Sequence, residues 1–357
     1  MFTIKDTMFV QDLFKLTKPK LKEIATNLDI DSTLNKNELV IRINEKKDEL
    51  TTTATKVIEE SILATKSTAI TWFKFDPKLT HDEFKDLVIE NTAFNPFEET
   101  NQYDENNLTT EPTLLVASSR EDQTGVYLRF IYKSGVRYET TPTSIRPVSR
   151  ATISTVYYDV EMGILEVRGD TKKSLEIART VAQMLNLQVT MEPVETPFNQ
   201  EIGSIADQLG GKLIETTSKP EIYFEEFSED ELNSVFGVLH TLDEYMQTKD
   251  SSALEVQLQA VSDSFGQGEA MVPFAALVLS GLETVGVASS SEIRTLPLFS
   301  YLEPHLQHQG GFIKFPYTIR NVEETFTIRI GMNTNSVVFV SQVTEEIIDF
   351  VRRNVII

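Results

Sequence analysis

Residues 113–186 constrain the fold most. TLLVASS, GVYLRFIYKSGVRYET and STVYYDVEMGILEVRG are rich in β-branched and aromatic residues, with Ser-Gly and Met-Gly turns between them. TKKSLEIARTVAQMLN follows at once, with Leu175, Ala178, Val181, Ala182 and Leu185 on one helical face. A sheet with an amphipathic helix laid on it buries both apolar faces. The same order, hairpin then capped helix, returns over 325–355, which raises the prospect of two related α/β units. Hairpin followed by helix is, however, a common unit in its own right. The expected class is α+β: a small N-terminal helical module followed by a mixed sheet-and-helix body.

Four segments are expected. Residues 1–50 read as a compact helical unit. Residues 51–112 read as a Thr-rich linker, a strand at TWFKFDP, a helix capped by Thr80 and an acidic loop without periodicity, FEETNQYDENNLTTEP, exposed and mobile. Residues 113–195 form the sheet domain. Residues 196–357 form an acidic α+β domain with helices at SEDELNSVFGVLHTLDEYMQ, SALEVQLQAVSDSF and around Ala275 to Leu282. It continues through strands FIKFPYTI, ETFTIRIG and SVVFVSQ to a helix at VTEEIIDFVRRNVII.

Charge narrows the choice of functional surface. The net charge is −21, unevenly spread. Residues 186–357 carry 9 Lys/Arg and 25 Asp/Glu, so −16, and repel phosphate at long range. A nucleic-acid surface therefore belongs to residues 1–74 (12 against 11, +1) or 115–185 (10 against 8, +2). No apolar run is long enough for a membrane span. MFTIKDTMFVQD lacks the basic flank and apolar core of a secretory signal, so a cytoplasmic protein is expected. With no cysteine there is no thiol chemistry or Cys-ligated zinc, and no cofactor or metal is expected.

The stretch LTKPKLKEIATNLDIDSTLNKNELVIRI, residues 16–43, holds two short helices. Thr17 caps the first and Pro19 falls in its first turn; Leu21, Ile24, Ala25 and Leu28 make its apolar face. Asn35 with Glu38 starts the second as a capping box, with Leu39, Val40 and Ile43 facing the first. Leu16-Thr17, Leu21-Lys22-Glu23-Ile24, Lys36, Glu38-Leu39 and Arg42-Ile43 together resemble the SAP family of helix–extended loop–helix modules, and more loosely the Rho-terminator N-terminal module. The resemblance covers residues 13–47. Asp29 and Leu34 stand where that family commonly has glycines. It implies DNA binding of low sequence specificity, with Lys18, Lys20, Lys22, Lys36 and Arg42 as phosphate contacts. The alternative is a helical pair that docks on a protein. Removal of residues 1–50 is expected to leave the rest folded.

A second basic stretch, VYLRFIYKSGVRYETTPTSIRPVSR (126–150), sets Arg129, Lys133, Arg137, Arg146 and Arg150 against one acid, Glu139, with Tyr127, Phe130, Tyr132 and Tyr138 interleaved. Arginines beside aromatics can hold phosphates and stack bases. The same alternation also describes a strand with a core face and a solvent face. His305 and His308 have metal-like spacing but sit in a Pro- and Gly-flanked turn. Asp159, Glu166 and Lys172 fit a nuclease centre only loosely, since Val167 and Arg168 follow Glu166. No catalytic motif stands out. The expectation is a non-enzymatic DNA-binding protein whose acidic body binds a protein partner or a second copy; the alternatives are an assembly component and a nuclease accessory.

Overall fold

The computed structural model describes residues 2–50, 58, 60, 63–64, 69–104, 107–188, 190–220, 284–296, 299, 302–319 and 321–357, and scattered positions between 233 and 256. The helices expected at 228–247, 252–265 and around 275–282 and most of the Thr-rich stretch lie outside the described residues, or touch them only at scattered positions. The chain is α+β, with antiparallel strands. It divides into two compact units, residues 1–211 with 314–357, and residues 212–313. Residues 1–50 fall in the same unit as the strands between residues 69 and 169.

In the first unit, α1 (Val10–Lys15), α2 (Lys18–Asn27) and α3 (Lys36–Glu45) come first. Asn35 and Glu38 close the capping box of α3, with Asn35 Oδ1 accepting from the Glu38 amide at 3.1 Å. Asp29 ends α2 at φ +52°, the left-handed conformation that glycine usually supplies. Leu21, Ile24, Leu39 and Ile43 are wholly buried, each stabilising the pair by about 1.5–3 kcal/mol.

Strands β1 (Ala69–Lys74), β2 (Thr113–Ser119), β3 (Gly125–Thr141), β4 (Ser144–Asp159) and β5 (Ile164–Gly169) follow, with α4 (His81–Glu90) after β1 and α5 (Thr171–Met184) after β5. Thr80 caps α4 and Asp170 caps α5. After α6 (Ile202–Gln208), β9 (Val322–Gly331), β10 (Ser336–Phe339) and α7 (Glu345–Val351) complete this unit. The strand order runs β2-β3-β4-β5-β1-β10-β9. The two hairpin-plus-helix segments thus flank β1, which pairs with β5 on one side and β10 on the other.

Both faces of the β2–β5 region are covered. Phe84, Val88, Ile177, Val181 and Ala182 from α4 and α5 meet Phe130, Tyr132, Val156, Tyr158 and Val167 on one face. The helical module meets Tyr127 and Tyr157 on the other. The 97–112 loop is tied to the sheet at several points: Phe97 is fully buried and Asn101 donates its amide to the Leu115 carbonyl at 2.7 Å. In the second unit, β6 (Lys212–Pro220) pairs with β7 (Val285–Ala288). Strand β8 (Leu306–Ile319) carries His308, whose Nδ1 lies 2.7 Å from Ser218 Oγ, so His308 is a strand residue rather than part of an exposed turn.

Candidate nucleic-acid interface

The basic residues of the helical module differ in what surrounds them. Lys20 pairs with Glu23 at 3.6 Å and Arg42 with Glu45 at 3.0 Å. Lys36 Nζ donates to the Phe14 carbonyl at 2.7 Å, so it also ties α3 to α1. Lys18 and Lys22 are exposed and have no ion pair among the described residues. The first turn of α2 holds no acid, and Thr17 occupies the N-cap position without making a side-chain cap bond. Pro19 has no amide to offer. The amides of Lys18 and Lys20 are left without a side-chain cap at the positive end of the helix dipole. Lysines at this end oppose the dipole, and the combination favours an anion.

The 126–150 stretch is the long β3–β4 hairpin. Its first half is core. Beyond Lys133 and Ala151 it becomes a two-stranded ribbon whose residues are mostly exposed. A bulge at Ser134 separates the two parts: Lys133 faces Ala151, but Gly135 faces Arg150. Ser134 Oγ donates to the Arg150 carbonyl at 3.2 Å and accepts from Thr152 Oγ1 at 2.7 Å, which holds the bulge.

That extra residue exchanges the faces. Before it, Arg129 and Lys133 share the face of Tyr127, under the helical module; after it, Arg137 pairs with Val148 and Glu139 with Arg146 on the opposite face. Arg137, Arg146 and Arg150 are brought together, and Arg129 and Lys133 are separated from them. Arg129 must be withdrawn as a phosphate contact. It is 1% exposed, with Nη2 2.6 Å from Asp12 Oδ2 and Nη1 donating to Thr155 Oγ1 at 3.1 Å. It sits beneath the module because its face of the sheet is covered, where the alternation alone reads as a solvent face.

On the ribbon, Arg137 and Arg146 both donate to Glu139, at 2.9 and 2.8 Å. The bond from Arg146 first, and the charge of both guanidiniums, hold the Glu139 carboxyl below its usual range. The other ribbon face is apolar: Val136, Tyr138, Ile145 and Pro147 are exposed there, Tyr138 by 71% and Ile145 by 68%.

Of the residues weighed for a nuclease centre, Asp159 and Glu166 serve the core instead, and Lys172 is exposed on α5. Glu166 accepts from Trp72 Nε1 at 2.8 Å, Arg168 Nε at 2.6 Å and Arg352 Nε at 3.0 Å, and is fully buried. Asp159 accepts from Arg352 at 2.6 Å, and Arg168 turns its other edge to Glu345 at 2.7 Å. Burial pushes the Glu166 carboxyl up, but the two guanidiniums and the indole outweigh it and leave it below the ordinary value. Arg168 and Arg352 had no signal in the sequence beyond a charge inside an apolar pattern. Beside this cluster lies an open cavity of about 450 Å³, lined by Asp122, Glu161, Glu346 and Asp349 with Arg120 and Arg353. Its acidic wall does not suit a phosphate. Among the described residues no group of three His, Cys, Asp or Glu side chains is placed to hold a metal. Nor is any described helix long and apolar enough to cross a membrane.

Compared with known proteins, the chain matches no family model and no curated protein.

Proposed function

We propose that this chain is a DNA-binding protein of low sequence specificity, in which the SAP-like helical pair contacts phosphates and the acidic remainder engages a protein partner. The observation that carries this reading is the start of α2. Lys18, Lys20 and Lys22 crowd an uncapped, acid-free helix N-terminus, while the opposite side of the same helix is core. Point charges on phosphates position a protein without reading bases, which accounts for low specificity.

The test is a salt titration with the full chain. Lys18→Ala with Lys22→Ala removes two exposed ammonium groups that have no ion pair among the described residues. Its slope of log affinity against log salt should fall by about 1.8, two contacts at about 0.9 each, and by a similar amount on duplexes of unrelated sequence. Identical slopes for variant and wild type would refute phosphate contact by this helix. Protein–protein assembly is the second reading, favoured by the exposed apolar face of Val136, Tyr138 and Ile145.

A further inference from the structure

We propose that the ribbon beyond the Ser134 bulge is a probe that enters the major groove of duplex DNA, with Arg137, Arg146 and Arg150 on the phosphates of the groove walls. The inference rests on the DNA-binding reading and adds a second contact, made by a different element.

The first argument is electrostatic. From Lys133 to Arg150 the chain has four basic residues and one acid, so +3, within a protein of net charge −21. A polyanion approaching such a body is repelled at long range. Ser134 to Thr141 is eight residues, which extends roughly 26 Å at 3.3 Å each. That is more than two screening lengths of about 10 Å at 0.1 M salt. Arg146, opposite Glu139 and so roughly 16 Å out at 3.3 Å per residue, acts largely beyond the field of the acidic residues behind it, whereas Arg150, opposite Gly135, sits at the base of the ribbon.

The second argument is shape. The major groove, about 12 Å wide, admits a two-stranded ribbon, and no third strand flanks residues 134–151 among the described residues. The tip offers Thr140, Thr141, Thr143 and Ser144. Hydroxyls of this kind bond to any base pair, consistent with low specificity. Tyr138 and Ile145 on the apolar face meet thymine methyls and sugar edges, contacts that would remove them from water. Glu139 holds Arg137 and Arg146 in place but also neutralises one charge. The arm is therefore weaker for phosphate than its arginine count implies.

The experiment uses the full chain and a fluorescein-labelled duplex of about 20 base pairs, two helical turns, over about 50–200 mM salt. Arg137→Ala, Arg146→Ala and Arg150→Ala combined should lower the salt slope by about 1.8, two net contacts at about 0.9 once Glu139 has neutralised one charge. Glu139→Gln should tighten binding and steepen the slope, a gain that misfolding cannot imitate. Methyl green, which fills the major groove, should compete with the protein, whereas the minor-groove ligand netropsin should not. Competition by netropsin alone would overturn the groove assignment. An unchanged slope in the triple variant, with Lys18→Ala/Lys22→Ala still reducing it, would overturn the arm proposal, leave the DNA reading standing and assign the apolar ribbon face to a protein partner. A reduced slope in the triple variant alone would uphold the arm and remove the helical pair. Absence of binding by wild type at about 50 mM salt would overturn both.

Discussion

Arg129 in β3 and Asp12 in α1 meet at 2.6 Å, both side chains 1% exposed, across 117 residues of sequence. The pair locks the helical module to the sheet. It is incompletely satisfied: Arg129 Nε and Asp12 Oδ1 have no hydrogen-bond partner, although Lys15 lies 3.7 Å from that carboxyl oxygen and the guanidinium stacks 5.5 Å from the Phe9 ring. Asp12→Ala leaves a buried guanidinium without its counter-charge, which costs about 3–5 kcal/mol. The expected fall in Tm is of order 10 °C for a unit of this size. Thermal unfolding followed by fluorescence of Trp72 measures it. Pairing Asp12→Leu with Arg129→Met should recover most of the loss, since apolar groups of similar volume remove the desolvation cost. A double variant as unstable as Asp12→Ala would show that packing, not the stranded charge, is the cause.

Removal of residues 2–50 goes further. It uncovers Tyr127 and Tyr157, which share one cluster with Leu13, Leu21, Ile24 and Leu39, and Arg129, which pairs with Asp12. The truncated chain is therefore expected in the insoluble fraction. Recovery of a soluble, cooperatively melting product would mean that the module is an independent domain after all.

That result bears on how far the sequence can be read. The periodicity at Leu21, Ile24, Ala25 and Leu28, the Asn35–Glu38 box and the Thr80 cap are local signals, and each appears in the structure where the residues indicate. Strand runs and the Met162-Gly163 turn were equally legible, but Ser134-Gly135, which reads as a turn, lies inside β3 as a bulge. Three features were not legible. The burial of Arg129 depends on a helix 117 residues away. The face on which Arg137 lies depends on one bulged residue, Ser134, which no propensity marks. The ionic core joins β4, β5 and α7, so Arg168 looks like an exposed hairpin end until Glu345 is folded onto it. Each is a consequence of tertiary pairing rather than of spacing.

Gly125 opens β3 directly under the ring of Tyr157; a Cβ there would clash with the ring. Gly125→Ala must therefore displace Tyr157, whose ring also packs 4.8 Å from the Arg352 guanidinium. Overpacking of this kind costs about 1–3 kcal/mol. Gly135, with open space around it, is the control, and Gly135→Ala should cost less than Gly125→Ala in the same denaturant titration. Equal costs would show that strand propensity rather than the ring contact governs both.

Glu166 sets the acid limit of stability. Its folded pKa lies below the ordinary 4.5 because Arg168, Arg352 and Trp72 outweigh the opposing effect of burial. A depressed carboxyl favours the folded state when ionised, so its contribution is complete above the unfolded value and is lost as pH falls through the folded one. Stability should therefore decline below about pH 4.5, and the emission of Trp72, the only tryptophan, should report it because its indole donates to this carboxylate. Glu166→Gln keeps the shape but removes the titrating charge. At neutral pH it should cost up to about 3–5 kcal/mol, since two buried guanidiniums lose a shared partner, although Asp159 and Glu345 remain. Below about pH 4.5 its stability should fall less steeply than that of wild type, so the two curves converge. Parallel curves from neutral to acid pH would show that this carboxylate does not govern acid unfolding.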